Sequence, residues 1–326
     1  MDISVVIPVR DEAENIPDLV NRLVHTFEKM SVSFEVIFVT DFNRDNTVDI
    51  LRKQNRLNPK IRALKLSTAR GQHIAVVAGL DACCGHCAVL MDGDMQDYPE
   101  DIPKLYARMK EGFDIVYAVK ERKNDSSLRN LFSKSFVSVL NWLSDQKLAH
   151  NTGMFRIISG RTIAQLRRFR EYEQSLTGLM ALVNFPTSTV QVTSGQRMKG
   201  QTKYSFLRQV NFAIEFLLGF TTKPLRLISL LGLIVAGISF AYLVTVIVRA
   251  VFVGIAVIGW PTLVSLITFL SGMQLLALGT IGEYVGRIFL ESKRRPLYVV
   301  EEVIGESSGT GPLQPPEISD LGSRIP

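Results

Sequence analysis

Two stretches in the second half of the chain carry no charged residue, 227–248 (LISLLGLIVAGISFAYLVTVIV) and 262–282 (TLVSLITFLSGMQLLALGTIG). Each is about 20 residues long, enough for a helix to cross a hydrocarbon core of about 30 Å. Helices inside a soluble protein rarely run so far without a charged face, so two membrane-spanning helices are expected. Basic residues set their orientation. Lys223 and Arg226 precede the first stretch, and Arg287, Lys293, Arg294 and Arg295 follow the second. The segment between them, 249–261, holds only Arg249. Both termini are therefore expected in the cytoplasm, with a short hairpin on the far side. Met1 leads directly into a strand-like run, so no signal peptide is expected.

The first 120 residues behave differently. Short apolar runs at Ile3–Val9, Phe34–Thr40, Ile61–Leu66, 87–91 and 114–119 alternate with longer amphipathic ones. Ile16, Leu19, Val20, Leu23, Val24 and Phe27 recur at helical spacing. Asp45 and Thr47 stand where a second helix would be capped, and a third is expected over 72–83. Further extended pieces are expected at 153–158 and 187–193, and a helix from 126 carrying Leu128, Phe132, Val139 and Leu143. The alternation predicts an α/β fold, a Rossmann-like, mostly parallel sheet with helices on both faces. Phe206, Val210, Ala213, Ile214, Leu217 and Leu218 form an apolar helical stripe just before the first span, predicting an interfacial helix. The expected organisation is a cytoplasmic catalytic domain over 1–204, a juxtamembrane helix over 205–225, two spans within 226–286, and a cytoplasmic segment over 287–326. The Gly-, Ser- and Pro-rich end, from about 305, is expected to be disordered.

Ligands of such sheets bind beyond the carboxyl ends of the strands. Glu12, Asp41 and the run MDGDMQD at 91–97 all lie just past predicted strand ends. Acids crowded in this way raise one another's pKa unless a cation sits among them. Mg²⁺ or Mn²⁺ would suit, since either takes oxygen ligands and bridges carboxylates to substrate phosphates. Asp94 and Gln96 are the expected direct ligands, with Asp92 beside them. The absence of G-x-G-x-x-G and P-loop patterns argues against dinucleotide and kinase chemistry. Cys83, Cys84 and Cys87 have no second cluster with which to form a zinc site, and are expected to be small buried thiols. The formal charge of +6 suits a protein working beside anionic lipid and anionic substrates, and no nucleic-acid module is recognisable.

VVIPVRDEAENI, FVTDFNRDNT, LMDGDMQDYPEDI and NTGMFRI resemble, in order, the motifs of inverting family 2 glycosyltransferases of the GT-A fold. RMKGQTKYSF and GTIGEYVGR…RRPLYVV narrow the resemblance to the polyprenyl-phosphate glycosyltransferases, over residue 3 to about 300. The resemblance implies a nucleotide-sugar donor, a polyprenyl phosphate acceptor, a bacterial inner-membrane location and a homo-oligomer, with a tetramer as the candidate state. It implies that Pro8, Arg10, Glu12, Asp41, Asp92 and Gly93 line the nucleotide-sugar pocket, that Asp92, Asp94 and Gln96 hold the metal, and that Arg197 and Lys203 grip phosphates. Lys120, Arg122, Arg129 and Ser133 fall in the region that receives the lipid phosphate. Pairing of arginine with phosphate oxygens suits that task.

The chain departs from the family in three places. The usual D-D-G-S reads Thr40-Asp41-Phe42-Asn43, Arg10 replaces a frequent Tyr, and Met154 stands where many members carry an acid. A phosphomonoester is largely dianionic at neutral pH, its second ionisation lying near pH 6, so attack by it needs no base. Gln165-Leu166-Arg167-Arg168-Phe169 is close to the Q-x-x-R-W of processive polysaccharide synthases, but Arg167, Arg168 and Arg170 are expected to form a solvated basic face. Glu283 and Arg287 are expected to form an ion pair at the membrane interface. The segment 296–300 is a candidate strand for pairing with a neighbouring copy. The rival readings are a processive synthase and a degenerate transferase that scaffolds a membrane complex.

Overall fold

The computed structural model of the protein describes residues 1–69, 71–120, 152–171, 176–193, 223–253 and 259–305. The chain divides into two compact units. One holds a sheet and takes up the chain again from Pro296; the other holds two long helices.

The central strands are β1 (Ile3–Val9) and β2 (Phe34–Thr40), and all seven residues of each are buried. Continuous apolar sequence of this kind belongs to a parallel strand covered on both faces. Between them α1 (Ile16–Met30) buries Ile16, Leu19, Val20, Leu23 and Phe27, and ends at Ser31 in the left-handed region (φ 52°). Then come α2 (Thr47–Leu57), β3 (Ile61–Leu66), α3 (Gln72–Ala82) and β4 (Cys87–Leu90). After α4 (Ile102–Lys110) the chain forms β5 (Ile115–Lys120), β6 (Thr152–Ser159), α5 (Gly160–Leu166), α6 (Leu176–Val183) and β7 (Thr187–Val192). With β8 (Val300–Ile304) these complete an eight-stranded sheet in the order β7-β5-β6-β4-β1-β2-β3-β8.

The expected mostly parallel α/β sheet is present, with β6 and β8 as its antiparallel members. Several bounds differ from expectation by a residue: β4 stops at Leu90, β5 spans Ile115–Lys120, and α3 stops at Ala82. The pairing proposed for 296–300 is corrected. The strand begins at Val300 and pairs with β3 of its own chain, held by Arg52–Glu302 and Lys65–Glu301 contacts of 2.7 and 2.5 Å.

At the amino ends of the strands Glu35 and Arg62 form a buried ion pair of 2.7 Å. Glu35 also accepts from Ser4 Oγ and from the backbone N of Cys84, each at 2.7 Å. The turn there needs Gly85, because a Cβ would lie 2.6 Å from the backbone N of Ser4. Cys83 and Cys87 are buried as expected, and burial pushes their thiols up to about 11 and about 12. Cys84 is instead exposed.

The second unit contains α7 (Lys223–Val253, 31 residues) and α8 (Trp260–Ser292, 33 residues), which enclose the two uncharged stretches. Judged on the described residues alone, no helix is long and apolar enough to cross a membrane. Many side chains of α7 fall outside that description. Several of those within it are exposed and apolar, Leu233, Phe240 and Phe252 being 71, 67 and 81% exposed. Glu283 and Arg287 pair at 3.3 Å, as expected. The helix expected from 126, residues 205–222 of the helix expected over 205–225, the tail beyond 305, and Arg122, Arg129, Ser133, Arg197 and Lys203 lie outside the described residues.

Candidate active site

The site forms where β1, β2, β4 and β5 end. Register aligns these ends, with Val9 opposite Thr40 and Val6 opposite Leu90. The loops after β1 and β2 are stitched together by side chains acting on backbone. Asn43 Oδ1 accepts from the N of Asp11 at 3.1 Å, and Asp11 Oδ1 accepts from the N of Arg44 at 2.6 Å. Asp45 accepts from the N of Ala13 at 3.2 Å and from the N of Thr47 at 3.0 Å, while Thr47 Oγ1 accepts from the N of Glu12 at 3.1 Å. This accounts for the unusual T-D-F-N sequence. Thr40, fully buried, accepts from Asn43 Nδ2 at 2.5 Å, so a hydroxyl–amide pair shapes the turn without a second acid. Asp41 is 8% exposed, and its Oδ1 has no partner among the described residues. Such a buried acceptor costs about 1–3 kcal/mol until a donor reaches it. Beside it Phe42 is exposed.

The acidic turn follows β4. Gly93 lets it lie against β1, since a Cβ there would stand 2.6 Å from Val9 Cγ1. Met95 takes the left-handed conformation (φ 63°), as Asp11 does on the facing loop (φ 55°). Non-glycine residues held there store local strain, and such strain gathers at functional sites. Gln96 donates from its backbone N to Asp94 Oδ1 (3.1 Å) and from Nε2 to Oδ2 (2.5 Å). Asp97, almost fully buried, accepts from the N of Asp92 at 3.3 Å. Lys120 Nζ, at the end of β5, lies 2.8 Å from Asp97 Oδ1, a charge contact without hydrogen-bonding geometry.

The electrostatics match the crowding. Burial, then the carboxylates of Asp97 and Asp94, push Asp92 up to about 7, although Lys120 and a hydrogen bond from Gln72 oppose the rise. Glu12 is raised by burial, with Asp94, Asp45 and Asp11 adding to it and Asn15 opposing. Glu12 and Asp94 therefore sense each other across the two loops. Among the described residues no group of three or more His, Cys, Asp or Glu side chains converges as a ready metal cage. That suits a cation held by one or two carboxylates with the rest of its shell from substrate phosphates and water.

Of the expected nucleotide residues, Pro8 and Asp41 are buried at the strand ends, Glu12 and Asp92 are partly buried, and Arg10 faces solvent. The sequence reading missed Arg156 and Gln72. Arg156 lies 2% exposed on β6, donating to the carbonyls of Gly153 (2.6 Å) and Met154 (3.1 Å) and stacking over Tyr117. A charge inside an otherwise apolar strand, MFRII, was the signal for it. Gln72 offered none, because its contact with Asp92 spans 20 residues.

The basic face expected of Arg167 and Arg170 is corrected. Arg167 donates to the carbonyls of Leu80 and Cys83 at 2.7 Å, closing the carboxyl end of α3, and Arg170 pairs with Asp81 at 2.7 Å. Only Arg168 remains exposed, against Gln165. The cap is made by Arg167, at a variable position of Q-x-x-R-F, and not by the motif's own Arg168.

A parallel sheet with acidic loops at its carboxyl edge is the GT-A architecture of sugar-transferring enzymes. The chain belongs to glycosyl transferase family 2, whose sequence profile matches residues 4–170, and it is a glycosyltransferase. It is 32% identical to an uncharacterized glycosyltransferase of Bacillus subtilis, over 93% of this chain and 94% of that one. It is 33% identical to a prophage bactoprenol glucosyl transferase homolog of Escherichia coli (93 and 99% covered) and to the bactoprenol glucosyl transferase of Shigella phage SfX (92 and 99%). Its fold is similar to that of glucosyl-3-phosphoglycerate synthase from Mycobacterium tuberculosis, at 15% identity and a TM-score of 0.49 over 67% of this chain and 76% of that one.

Proposed function

We propose that the protein transfers a sugar from a nucleoside diphosphate, a uridine diphosphate first among candidates, to a polyprenyl phosphate such as undecaprenyl phosphate. The observation that carries this reading is the acidic turn, where Asp92 lies beside Asp94 and Asp97 and is pushed up to about 7 by burial first and by those two carboxylates second. A cation relieves that repulsion. Asp94 and Asp92 would hold Mg²⁺ or Mn²⁺, with Gln96 able to present its amide oxygen once it turns from Asp94. When bound, the ion supplies charge neutralisation for a diphosphate leaving group. Asp41 Oδ1, without a partner among the described residues, favours a base that presents a ring N–H, as uracil does.

The acceptor assignment is supported by the names of the relatives matched over nearly their whole length. Attack by a phosphate oxygen forms the new bond to the anomeric carbon as the bond to the diphosphate breaks and the nucleotide leaves with the electron pair. Backside approach inverts the configuration, giving a β-linked lipid phosphosugar from an α-linked donor. The acceptor arrives largely deprotonated, so Met154, where an acid might stand, is compatible with the chemistry. Lys120, Arg122, Arg129, Ser133, Arg197 and Lys203 would bind and orient the two phosphate groups.

The membrane location rests on α7 and α8. Helices of 31 and 33 residues extend roughly 45–50 Å, longer than the ~30 Å hydrocarbon layer. A two-helix hairpin would hold the catalytic edge near the headgroups on the cytoplasmic face of a bacterial inner membrane. In the purified full-length protein with Mn²⁺, UDP-sugar and undecaprenyl phosphate, Asp94→Ala is expected to lower glycolipid formation by about 10³-fold or more while leaving membrane insertion intact. Turnover retained in Asp94→Ala would remove the metal role assigned to this residue.

A further inference from the structure

Helix α3 is apolar on every side. Ile74, Ala75, Val76, Val77, Ala78, Leu80 and Ala82 are all buried. A helix of that kind must be covered all round. Its inner face lies on the sheet, so closely at Gly79 that a Cβ would stand 2.2 Å from Val6 Cγ1. The cover for Ile74 and Val77 comes from the far end of the sequence: Leu297 is buried against them, with Tyr298 alongside. Tyr298 OH donates to Asp81 Oδ2 at 2.7 Å, and Asp81 also accepts two bonds from Arg170 at 2.7 and 3.0 Å. The next residues continue the strap, with the carbonyl of Val299 accepting from the N of Ser67 at 2.9 Å before β8 joins β3.

The other end of α3 reaches the acidic turn, where Gln72 Nε2 donates to Asp92 Oδ1. One rigid element therefore has the strap packed along it, its carboxyl end fastened to Tyr298 and Arg170, and its amino end on a carboxylate of the site. We propose that Leu297 and Tyr298 are positioning residues for Asp92. Acting through α3 and Gln72, they hold the carboxyl in the orientation that receives the cation. The strap at Leu297 follows Ser292, the last residue of α8, after only Lys293, Arg294, Arg295 and Pro296, so the chain that returns from the helical unit is the one that steadies the metal site. The proposal rests on the metal assignment above.

The test uses the full-length, detergent-solubilised protein and two readouts other than turnover: amide hydrogen exchange across residues 72–82, and binding of Mn²⁺ in the presence of UDP followed by electron paramagnetic resonance. Tyr298→Phe removes one hydroxyl and keeps the ring. It is expected to speed exchange in α3 by roughly ten-fold and to weaken Mn²⁺ binding by about three- to ten-fold. Leu297→Ala should do both more strongly if it folds. Glu302→Gln weakens the strap at its contact with Arg52, away from α3, and should leave both readouts at wild-type values. Mn²⁺ binding unchanged in Tyr298→Phe, or changed equally in Glu302→Gln, overturns the positioning role while the metal assignment stands. Absence of Mn²⁺ binding in the wild type overturns both.

Discussion

The two ends of the sheet hold buried acids under opposite conditions. At the amino end Glu35 is saturated, one oxygen accepting from Ser4 and Cys84 and the other from Arg62. Its partner retains two guanidinium nitrogens, Nε and Nη2, without partners among the described residues. At the carboxyl end Asp41 keeps an oxygen without a partner among the described residues, Asp92 is pushed up to about 7 by burial and neighbouring acids, and Asp11 and Met95 sit in the left-handed region. The first arrangement closes a structure. The second is costly to the protein alone and becomes favourable when a cation and a hydrogen-bond donor arrive.

The largest effect that could break this contrast is expected at the amino end. Glu35→Ala leaves Arg62 buried and uncompensated, which should cost about 3–5 kcal/mol of stability, read as a fall in unfolding temperature. Nucleotide affinity of the folded fraction should not change, because the pair lies at the opposite end of the strands. A loss below about 1 kcal/mol, the range of solvated pairs, would mean that the two ends differ less than their geometry suggests.

The carboxyl end should answer to pH with a definite sign. Asp92 holds its proton more tightly in the folded protein than the ordinary 3.8 of an unfolded chain. The folded state thus binds the extra proton between about pH 4 and about 7, and metal-free stability falls as pH rises through that window, then levels off. The ceiling for this shift is about 4 kcal/mol, and water reaching the partly exposed carboxyl should bring it nearer 2 kcal/mol. Asp92→Asn should flatten the slope, and saturating Mn²⁺ with UDP should restore stability above pH 7. A metal-free pH profile identical in wild type and Asp92→Asn would show that the acids do not strain one another.

How much of this was legible in the sequence depends on how far apart the partners lie. The parallel core was readable because β1 and β2 are largely apolar runs, and the acidic turn because its three carboxylates fall within six residues. The antiparallel insertion of β6 between β4 and β5 left no trace in periodicity, since the buried run Phe155–Ile158 looks the same in either direction. Arg167 and Arg170 read as a solvated face because their acceptors, the carbonyls of α3 and Asp81, lie more than 80 residues away. The cover of α3 was illegible for the same reason, Tyr298 and Asp81 being 217 residues apart.

The smallest expected effect concerns the turn that replaces D-D-G-S. If Thr40 substitutes for an acid by holding Asn43, then Thr40→Val, which keeps the buried volume and removes the acceptor of the 2.5 Å bond, should loosen the loop carrying Asp41. Asn43 is only partly buried, so its freed amide can turn to water and the stability loss should stay near 1 kcal/mol. Asn43 also accepts from the N of Asp11, so the loosening should spread to the facing loop and raise KM for the donor about two- to five-fold. The chemical step should keep its kcat, because Asp92 and Asp94 stand on a different strand end. Equal losses in KM and kcat would place Thr40 in the support of the acidic turn, and no change in either would show that Asp41 is held by β2 alone.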